Sequence, residues 1–189
     1  MARSIYYLPG HGGHLETGLG EGLLSRGFDV IGRQTVGDFK TLPFGEQVAL
    51  VAQDLTSLYW HEGAHVIANS FGAYLFLHAQ AQMAPYIGKV LLLSPIVGEF
   101  SNEETMLGFI PPQAEKLMRL AESGTYPIPR QCEIHVGEFD WQSNPKSVIK
   151  LARHLGLDVT VVSNAGHMLG QSYVATILDR WLTPARAAR

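Results

Sequence analysis

Three polar residues that are far apart in the sequence each follow a short apolar run, and their side chains could together perform acyl transfer. They are Ser70, Asp140 and His167. A neutral hydroxyl does not attack a carbonyl carbon at a useful rate unless a base removes its proton, and a carboxylate must hold that base in one tautomer. The sequence therefore offers a candidate nucleophile, a candidate orienting acid and a candidate base.

Ser70 lies where an apolar run gives way to a helix-like pattern, in the order Asn69-Ser70-Phe71-Gly72. This order is close to the G-x-S-x-G nucleophile elbow, a strained turn that holds a serine hydroxyl above the carboxyl ends of a sheet. Ala68 replaces the first glycine of that pattern, and alanine is still small. The turn would also aim the Phe71 N–H and the helix N-terminus at an oxyanion. Alternatively, Ser70 is only the N-cap of the helix.

Asp140 and His167 end two further turns, which read G-E-F-D and S-N-A-G-H. Both turns follow candidate strands, and the carboxyl ends of parallel strands meet at one edge of a sheet. We therefore expect both side chains on the same edge as Ser70, in the chain order acid before histidine. Glu138 is a rival acid, but the end of the turn favours Asp140.

A glycine-rich turn, Pro-Gly-His-Gly-Gly at residues 9–13, follows the first apolar run. Its glycines let the backbone approach a ligand closely, and the N–H of His11 or Gly12 is the candidate second oxyanion donor. The turn lacks the spacing of a dinucleotide fingerprint or of a P-loop. Gly12 and His14 are also candidate substrate contacts, and Trp141 is a candidate wall of the site.

The chain has eight histidines, so His167 is not the only candidate for the base. A metal site built from His11, His14 and His167 has no HExxH-like spacing to support it, and we expect no metal and no cofactor. Two of the others fall in candidate strands, where we expect local partners, and three fall on or beside helices, where we expect solvated rings. These are His65 and His135 in strands, and His61, His78 and His154 on helices.

Short apolar runs alternate with helical patterns along the chain. The candidate strands are residues 4–8, 28–31, 65–68, 89–93, 132–136 and 158–162, and the candidate helices are 15–26, 45–60, 71–83, 145–155 and 171–182. Alternation of strand and helix predicts a parallel sheet, and mostly apolar runs predict strands that are buried on both faces. We expect a three-layer α/β/α sandwich with a mostly or wholly parallel sheet of about six strands.

The whole chain, residues 1–189, is expected to form one domain, since no linker or repeat interrupts it. Residues 98–129 are the irregular section, with several apolar residues and prolines before a helix-like stretch at 113–123. They could form a small lip over a site or an ordinary connection with one helix. The oligomeric state cannot be derived from the sequence.

Composition narrows the classes of partner. The net charge is −3 and no basic cluster follows one face, so nucleic-acid binding is not expected. No apolar run is long enough to span a bilayer, and the N-terminus lacks the pattern of a signal peptide. Cys132 is the single cysteine, which cannot form a disulfide within the chain. We therefore expect a cytoplasmic protein without membrane insertion.

With these motifs in view, nearly the full length of the chain resembles the α/β-hydrolase superfamily. Within that superfamily it is similar to the small, lidless serine hydrolases related to retinoblastoma-binding protein nine. Four motifs carry the resemblance: P-G-x-G-G at 9–13, N-S-F-G at 69–72, G-x-x-D at 137–140 and A-G-H at 165–167. The resemblance implies a minimal α/β-hydrolase fold.

The resemblance also implies a role for each residue. Ser70 would be the nucleophile, His167 the base and Asp140 the orienting acid, with the N–H groups of His11 and Phe71 as oxyanion donors. The expected function is an esterase-like serine hydrolase that cleaves a small carboxylester, thioester or amide through an acyl-enzyme. A non-catalytic scaffold and an acyltransferase with the same triad remain open, and a flavodoxin-like cofactor binder is a more distant alternative.

Overall fold

A parallel sheet of six strands forms the centre of the computed structural model, which describes residues 3–102 and 106–183. The strands of the chain are β1 (Arg3–Leu8), β2 (Phe28–Gly32), β3 (His65–Asn69), β4 (Lys89–Leu93), β5 (Phe100–Asn102), β6 (Leu107–Phe109), β7 (Gln131–Gly137) and β8 (Val159–Val162). The sheet order is β2-β1-β3-β4-β7-β8, and β5 pairs with β6 in a separate antiparallel pair. The predicted parallel sheet of about six strands is confirmed.

Helices cover both faces of the sheet. They are α1 (Leu19–Leu24), α2 (Gly37–Thr41), α3 (Phe44–Leu58), α4 (Phe71–Gln80), α5 (Lys116–Glu122), α6 (Pro145–Leu155) and α7 (Gln171–Leu182). Apolar side chains of α3, α4, α5 and α6 belong to one buried cluster, and those of α1 and α7 belong to a second. The predicted three-layer sandwich is therefore confirmed.

The period of two along a strand explains why the two clusters lie on opposite faces of the sheet. Val66 of β3 belongs to the first cluster, whereas its neighbour Ile67 belongs to the second. The prediction of burial on both faces holds for such central strands but is wrong for the edge strands β2 and β8. Ile31 and Val161 are 46% and 40% exposed, because an edge strand has a neighbouring strand on one side only.

Local signals set several of the element boundaries. Asn144 precedes Pro145 as the predicted N-cap of α6, and its side chain accepts the Lys146 N–H at 3.0 Å. The helix predicted over residues 15–26 is shorter and begins after Gly18, whose φ of 57° ends the preceding loop. The sequence analysis missed α2, which has only five residues and no buried side chain.

Residues 98–129 contain the one helix of the simpler expectation and, in addition, a pair of short strands that was not expected. The antiparallel pair of β5 and β6 precedes α5, and residues 103–105 lie outside the described part. Residues 1, 2 and 184–189 also lie outside it, so the expectation of one domain over 1–189 stays a prediction. Within the described ranges, no helix combines the length and the apolar character that a bilayer span needs.

Candidate active site

Ser70 occupies a strained turn between β3 and α4. Its φ of 52° and ψ of −121° are unusual for a residue with a side chain, and such conformations cost about 1–3 kcal/mol. The backbone is held there because the Ser70 N–H donates to Leu93 O at 3.0 Å, while Ser70 O accepts the N–H groups of Tyr74 and Ile96. Ser70 stands at the N-cap position, but its side chain makes no capping hydrogen bond. The Ser70 side chain therefore does not stabilise α4 in the way that the alternative interpretation as a helix cap expects.

Gly72 is the glycine that the elbow requires. A Cβ at this position would lie 2.1 Å from Leu8 O and 2.5 Å from Pro9 O, which is far inside van der Waals contact. The turn after β1 therefore passes directly over the first turn of α4. Ala68 at the other small position is fully buried in the sheet, where it pairs in register with Leu8 and Leu92.

A continuous chain of hydrogen bonds joins the three side chains. The distance from His167 Nε2 to Ser70 Oγ is 2.8 Å, and His167 Nδ1 lies 2.9 Å and 3.0 Å from the two carboxylate oxygens of Asp140. With the proton on Nδ1, His167 donates to Asp140 and accepts from the Ser70 hydroxyl. In this arrangement the imidazole can take the hydroxyl proton without moving.

Asp140 is held in place by its own backbone turn. Its side chain is fully buried, and Oδ1 accepts the N–H groups of Gln142 at 3.0 Å and Ser143 at 2.9 Å. Burial raises the pKa of Asp140, but the hydrogen bonds from His167 and Ser143 outweigh it and bring the pKa below its ordinary value. The carboxylate is therefore ionised at neutral pH. The rival acid Glu138 instead accepts the Asn164 N–H at 2.9 Å.

The turns that carry Asp140 and His167 are bonded to one another. Phe139 N–H donates to Ala165 O at 2.9 Å. The turns approach closely because Gly137 ends β7, where a Cβ would lie 2.3 Å from Gly166 O. The turns after β7 and β8 are thus bonded to each other directly, without the participation of Ser70.

Thr35, which the sequence analysis missed, organises the turn after β1. It is buried, and its hydroxyl donates to Gly10 O while its Oγ1 accepts the Gly13 N–H. Gly12 N–H donates to Thr35 O at 3.3 Å, so it already has an acceptor within the protein. The His11 N–H has no acceptor in the described part of the chain, which leaves it available to a ligand. No local sequence pattern identifies Thr35 as a functional residue, because its role depends on the pairing of β1 with β2.

Two cavities meet at His11. A cleft of about 1020 Å³ is lined by Ser70, His167 and His14, together with the turn after β1 and residues of α1 and α7. A smaller cavity of about 220 Å³ lies beside it and is lined by His11 and Phe71. His11 lines both cavities and so lies at their boundary, whereas Phe71 lines only the smaller one.

The remaining predicted contacts are less central. His14 lines the cleft and its Nδ1 is 2.9 Å from Gln34 Oε1. Gly12 and Trp141 are not among the residues that line the two cavities, and the Trp141 ring packs against Phe100 at 5.6 Å. No group of three His, Cys, Asp or Glu side chains in the described residues is arranged to hold a metal ion.

His78 differs from its expectation. The sequence analysis expected a solvated ring, but His78 is fully buried because all of α4 after its first residue lies under other elements. Its ring packs against Tyr74 at 4.3 Å and Phe44 at 5.0 Å, and neither ring nitrogen has a hydrogen-bond partner within the described ranges. Burial, with a smaller effect of the Lys116 charge, lowers its pKa to about 4. By contrast, His135 has the local partners expected of it, Tyr173 and Glu133.

Solved structures share this architecture along almost the whole chain. The ydeN gene product of B. subtilis has a TM-score of 0.66 and 13% identity, over 96% of this chain and 99% of that one. Carboxylesterase CesB of Bacillus subtilis has a TM-score of 0.64 and 17% identity, over 96% and 82% of the two chains. Alpha/beta hydrolase domain-containing protein 10 from mouse has a TM-score of 0.68 and 15% identity, over 95% and 89%.

The chain has the α/β-hydrolase fold. No protein-family model matches the sequence, and no curated protein matches it. The narrower resemblance to the retinoblastoma-binding protein nine family therefore stays a prediction. In the α/β-hydrolase fold, a nucleophile elbow precedes the acid and the histidine in the chain, which is the order of Ser70, Asp140 and His167 here.

Proposed function

We propose that the protein is an esterase-like serine hydrolase that cleaves a small carboxylester, thioester or amide through an acyl-enzyme. The observation that carries this proposal is the continuous hydrogen-bond chain from Ser70 through His167 to Asp140, with Ser70 in the strained elbow. Similar structures that are named carboxylesterase, such as CesB, support it. The proposed mechanism uses only protein groups and water, in one cytoplasmic domain.

In the first half of the reaction, Ser70 Oγ forms a bond to the carbonyl carbon while its proton moves to His167 Nε2. The electron pair of the carbonyl double bond moves to oxygen and gives an oxyanion. Asp140 stabilises the imidazolium that forms, because its buried carboxylate is ionised and accepts a hydrogen bond from the Nδ1–H, with Nδ1 and Oδ1 2.9 Å apart. The bond to the leaving group then breaks as His167 returns the proton to it.

The oxyanion is stabilised by the backbone N–H groups of Phe71 and His11. Phe71 begins α4, where the helix dipole adds a favourable partial positive charge. The turn that carries His11 passes against the elbow, since a Cβ on Gly10 would lie 3.1 Å from Ser70 Cβ. These donors would bind the oxyanion more strongly than the oxygen of the neutral carbonyl. Catalysis requires this difference in binding.

Water completes the cycle in a second half of the reaction, in which water is the nucleophile and Ser70 is the leaving group. His167 Nε2 takes a proton from water, whose oxygen attacks the acyl carbon and forms a second oxyanion. The bond between that carbon and Ser70 Oγ breaks, and His167 returns the proton to the serine. The products are a free acid, the alcohol, thiol or amine, and the regenerated hydroxyl.

Labelling with a fluorophosphonate probe tests the nucleophile directly. The wild type should be labelled and Ser70→Ala should not. Ser94→Ala is a matched control, because Ser94 also follows a strand and also has a positive φ, of 44°. Unlike Ser70, it is followed by a proline, Pro95, which has no N–H to donate to an oxyanion. Labelling of Ser94→Ala should persist, and unchanged labelling of Ser70→Ala would refute the proposal.

Assays with p-nitrophenyl esters separate the hydrolase from the two alternatives. Hydrolysis that depends on Ser70 supports the proposal, whereas silence over a broad panel of acyl groups favours a non-catalytic scaffold. Faster acyl transfer to an added alcohol or thiol than to water would indicate an acyltransferase instead.

A further inference from the structure

The wall of the smaller cavity is mostly apolar, and none of the residues that are hydrogen-bonded to His167 belongs to it. Its apolar lining residues come from α2, α3, α4 and the segment that contains β6. They are Phe39, Leu42, Phe44, Phe71, Phe109 and Pro112. Four of the six are aromatic, so the cavity offers flat apolar surfaces on several sides.

Two polar side chains at this wall, Gln47 and Thr35, are already engaged within the protein. Gln47 is buried, and its amide donates to the carbonyl oxygens of Phe39 at 3.0 Å, Lys40 at 3.2 Å and Leu42 at 3.2 Å. The hydroxyl of Thr35 is likewise bonded to the turn after β1. Lys40 also lines the cavity, but it is exposed to solvent. The interior therefore suits an apolar group, and the loop that forms it is fixed before any ligand arrives.

The position of the hydrogen-bonded side chains of Ser70, His167 and Asp140 decides which part of an ester would lie in the cleft and which part in the smaller cavity. The leaving group must be within reach of His167 Nε2, since that atom returns the proton to it. His167 lines the large cleft together with Met168 and Leu169. The leaving group therefore belongs in the cleft, and the acyl chain must extend away from it, past the N–H groups of His11 and Phe71.

We propose that the smaller cavity is the acyl-binding subsite and that the substrates are esters or thioesters of short aliphatic or single-ring aromatic acids. This inference rests on the proposed function and adds the class of acid to it. An apolar cavity of about 150 Å³ holds benzene. The cavity of about 220 Å³ therefore accepts one aromatic ring or a chain of up to about eight carbon atoms.

The experiment varies the acyl group while p-nitrophenol stays the leaving group, in the series acetate, butyrate, hexanoate, phenylacetate and laurate. For the wild type, kcat/KM should rise roughly fourfold per added methylene up to hexanoate, because each buried CH2 adds favourable transfer free energy. Phenylacetate should be as good as hexanoate, and laurate should be poorer than either. A second series varies the leaving group of an acetate ester.

Two variants change the cavity in opposite directions. Leu42→Trp places a larger ring in it and should lower kcat/KM for hexanoate and phenylacetate by about tenfold or more, while acetate is little affected. Phe109→Ala enlarges it and should move the optimum toward laurate. Ile110→Ala is the matched control, since Ile110 follows β6, is 73% exposed and does not line the cavity. Its profile should equal that of the wild type.

The outcomes separate this inference from the function on which it rests. If the wild type hydrolyses the esters through Ser70 but neither variant changes the acyl profile, the subsite is wrong and the hydrolase stands. If Leu42→Trp alters the leaving-group series instead, the two cavities have the opposite roles and the inference is again overturned. If no hydrolysis depends on Ser70, the proposed function fails and the subsite fails with it. Fluorophosphonate labelling of Leu42→Trp shows that the variant is folded with a reactive serine.

Discussion

Thr35 and Gly13 are joined by two reciprocal hydrogen bonds. The Gly13 N–H donates to Thr35 Oγ1 at 2.9 Å, and the Thr35 N–H donates to Gly13 O at 3.1 Å. The hydroxyl of Thr35 also donates to Gly10 O. With the bond from the Gly12 N–H, Thr35 fixes the turn that carries His11 at three residues, which sets where the His11 N–H lies relative to Ser70.

Replacement of that hydroxyl should therefore affect the rate more than substrate binding. We expect Thr35→Val to lower kcat by about 10- to 100-fold with little change in KM, because a small displacement of an oxyanion donor weakens the transition state selectively. Thr35→Ser keeps the hydroxyl and should recover most of the rate. Steady-state kinetics on one ester measure both parameters. Equal kcat in Thr35→Val and Thr35→Ser would contradict a positioning role.

Asp140→Asn should lower kcat by about 10³- to 10⁴-fold at neutral pH, because an amide stabilises the wrong tautomer of His167. Glu138→Gln, which removes the nearby rival carboxylate, should lose far less. The pKa of Asp140 lies below its ordinary value, so the carboxylate stays ionised well into the acid range. Protonation of Asp140 should therefore not limit the wild-type rate near neutral pH. A pH profile of kcat/KM checks this, and comparable losses in both variants would count against the assignment of the acid.

His78 should make stability depend on pH in the mildly acidic range. Its pKa falls from the ordinary 6.5 to about 4 in the folded protein, so only the unfolded chain binds the proton between these values. Stability therefore falls as pH falls from about 6.5 to 4, by up to about 3 kcal/mol.

The matched comparison uses His78→Leu and His61→Leu. The first should flatten the pH dependence of the free energy of unfolding between pH 6.5 and 4, because the buried titrating ring is gone. The second changes an exposed ring and should leave the slope as in the wild type. Urea unfolding at a series of pH values measures both. A wild-type slope in His78→Leu would mean that other groups cause the effect.

Gly137→Ala should reduce catalytic activity more than it reduces the stability of the folded protein. Its new Cβ would lie 2.3 Å from Gly166 O and would push the turn with His167 away from Asp140. We expect a loss in kcat/KM of about 100-fold, since a displacement of about 1 Å can cost that much. Gly166→Ala, in the same turn, meets no atom within 4 Å and should have a much smaller effect. Thermal unfolding of both variants separates displacement of the turn from general instability.

The fold followed from local patterns to a large extent. The strand at residues 89–93 and the helices at 145–155 and 171–182 have the predicted bounds, since the strand is a short apolar run and the helices have a helical apolar period. Parallel order then brings the ends of β3, β7 and β8 to one edge of the sheet, where Ser70, Asp140 and His167 meet. Their catalytic roles, and those of His11 and Phe71, stay proposals.

Features that depend on contacts between distant segments were not predictable. Thr35 and Gln47 have no sequence signal, because their partners are backbone atoms that only the folded chain brings near. The buried state of His78 was also not predicted, since helical spacing alone does not say that α4 is covered by other elements. The division into two cavities depends on loop conformations that no periodicity encodes.

Most of the wall of the smaller cavity comes from α2, the start of α3 and the segment around β6, and Phe71 and His11 are its contacts with the elbow and with the turn after β1. The hydrogen bonds among Ser70, His167 and Asp140 are instead carried by the turns after β3, β7 and β8. Insertions or substitutions in the first set of segments leave the second set untouched. Descendants of this sequence could therefore acquire a preference for different acids without rebuilding their chemistry, and selectivity and reactivity would be inherited as separate traits.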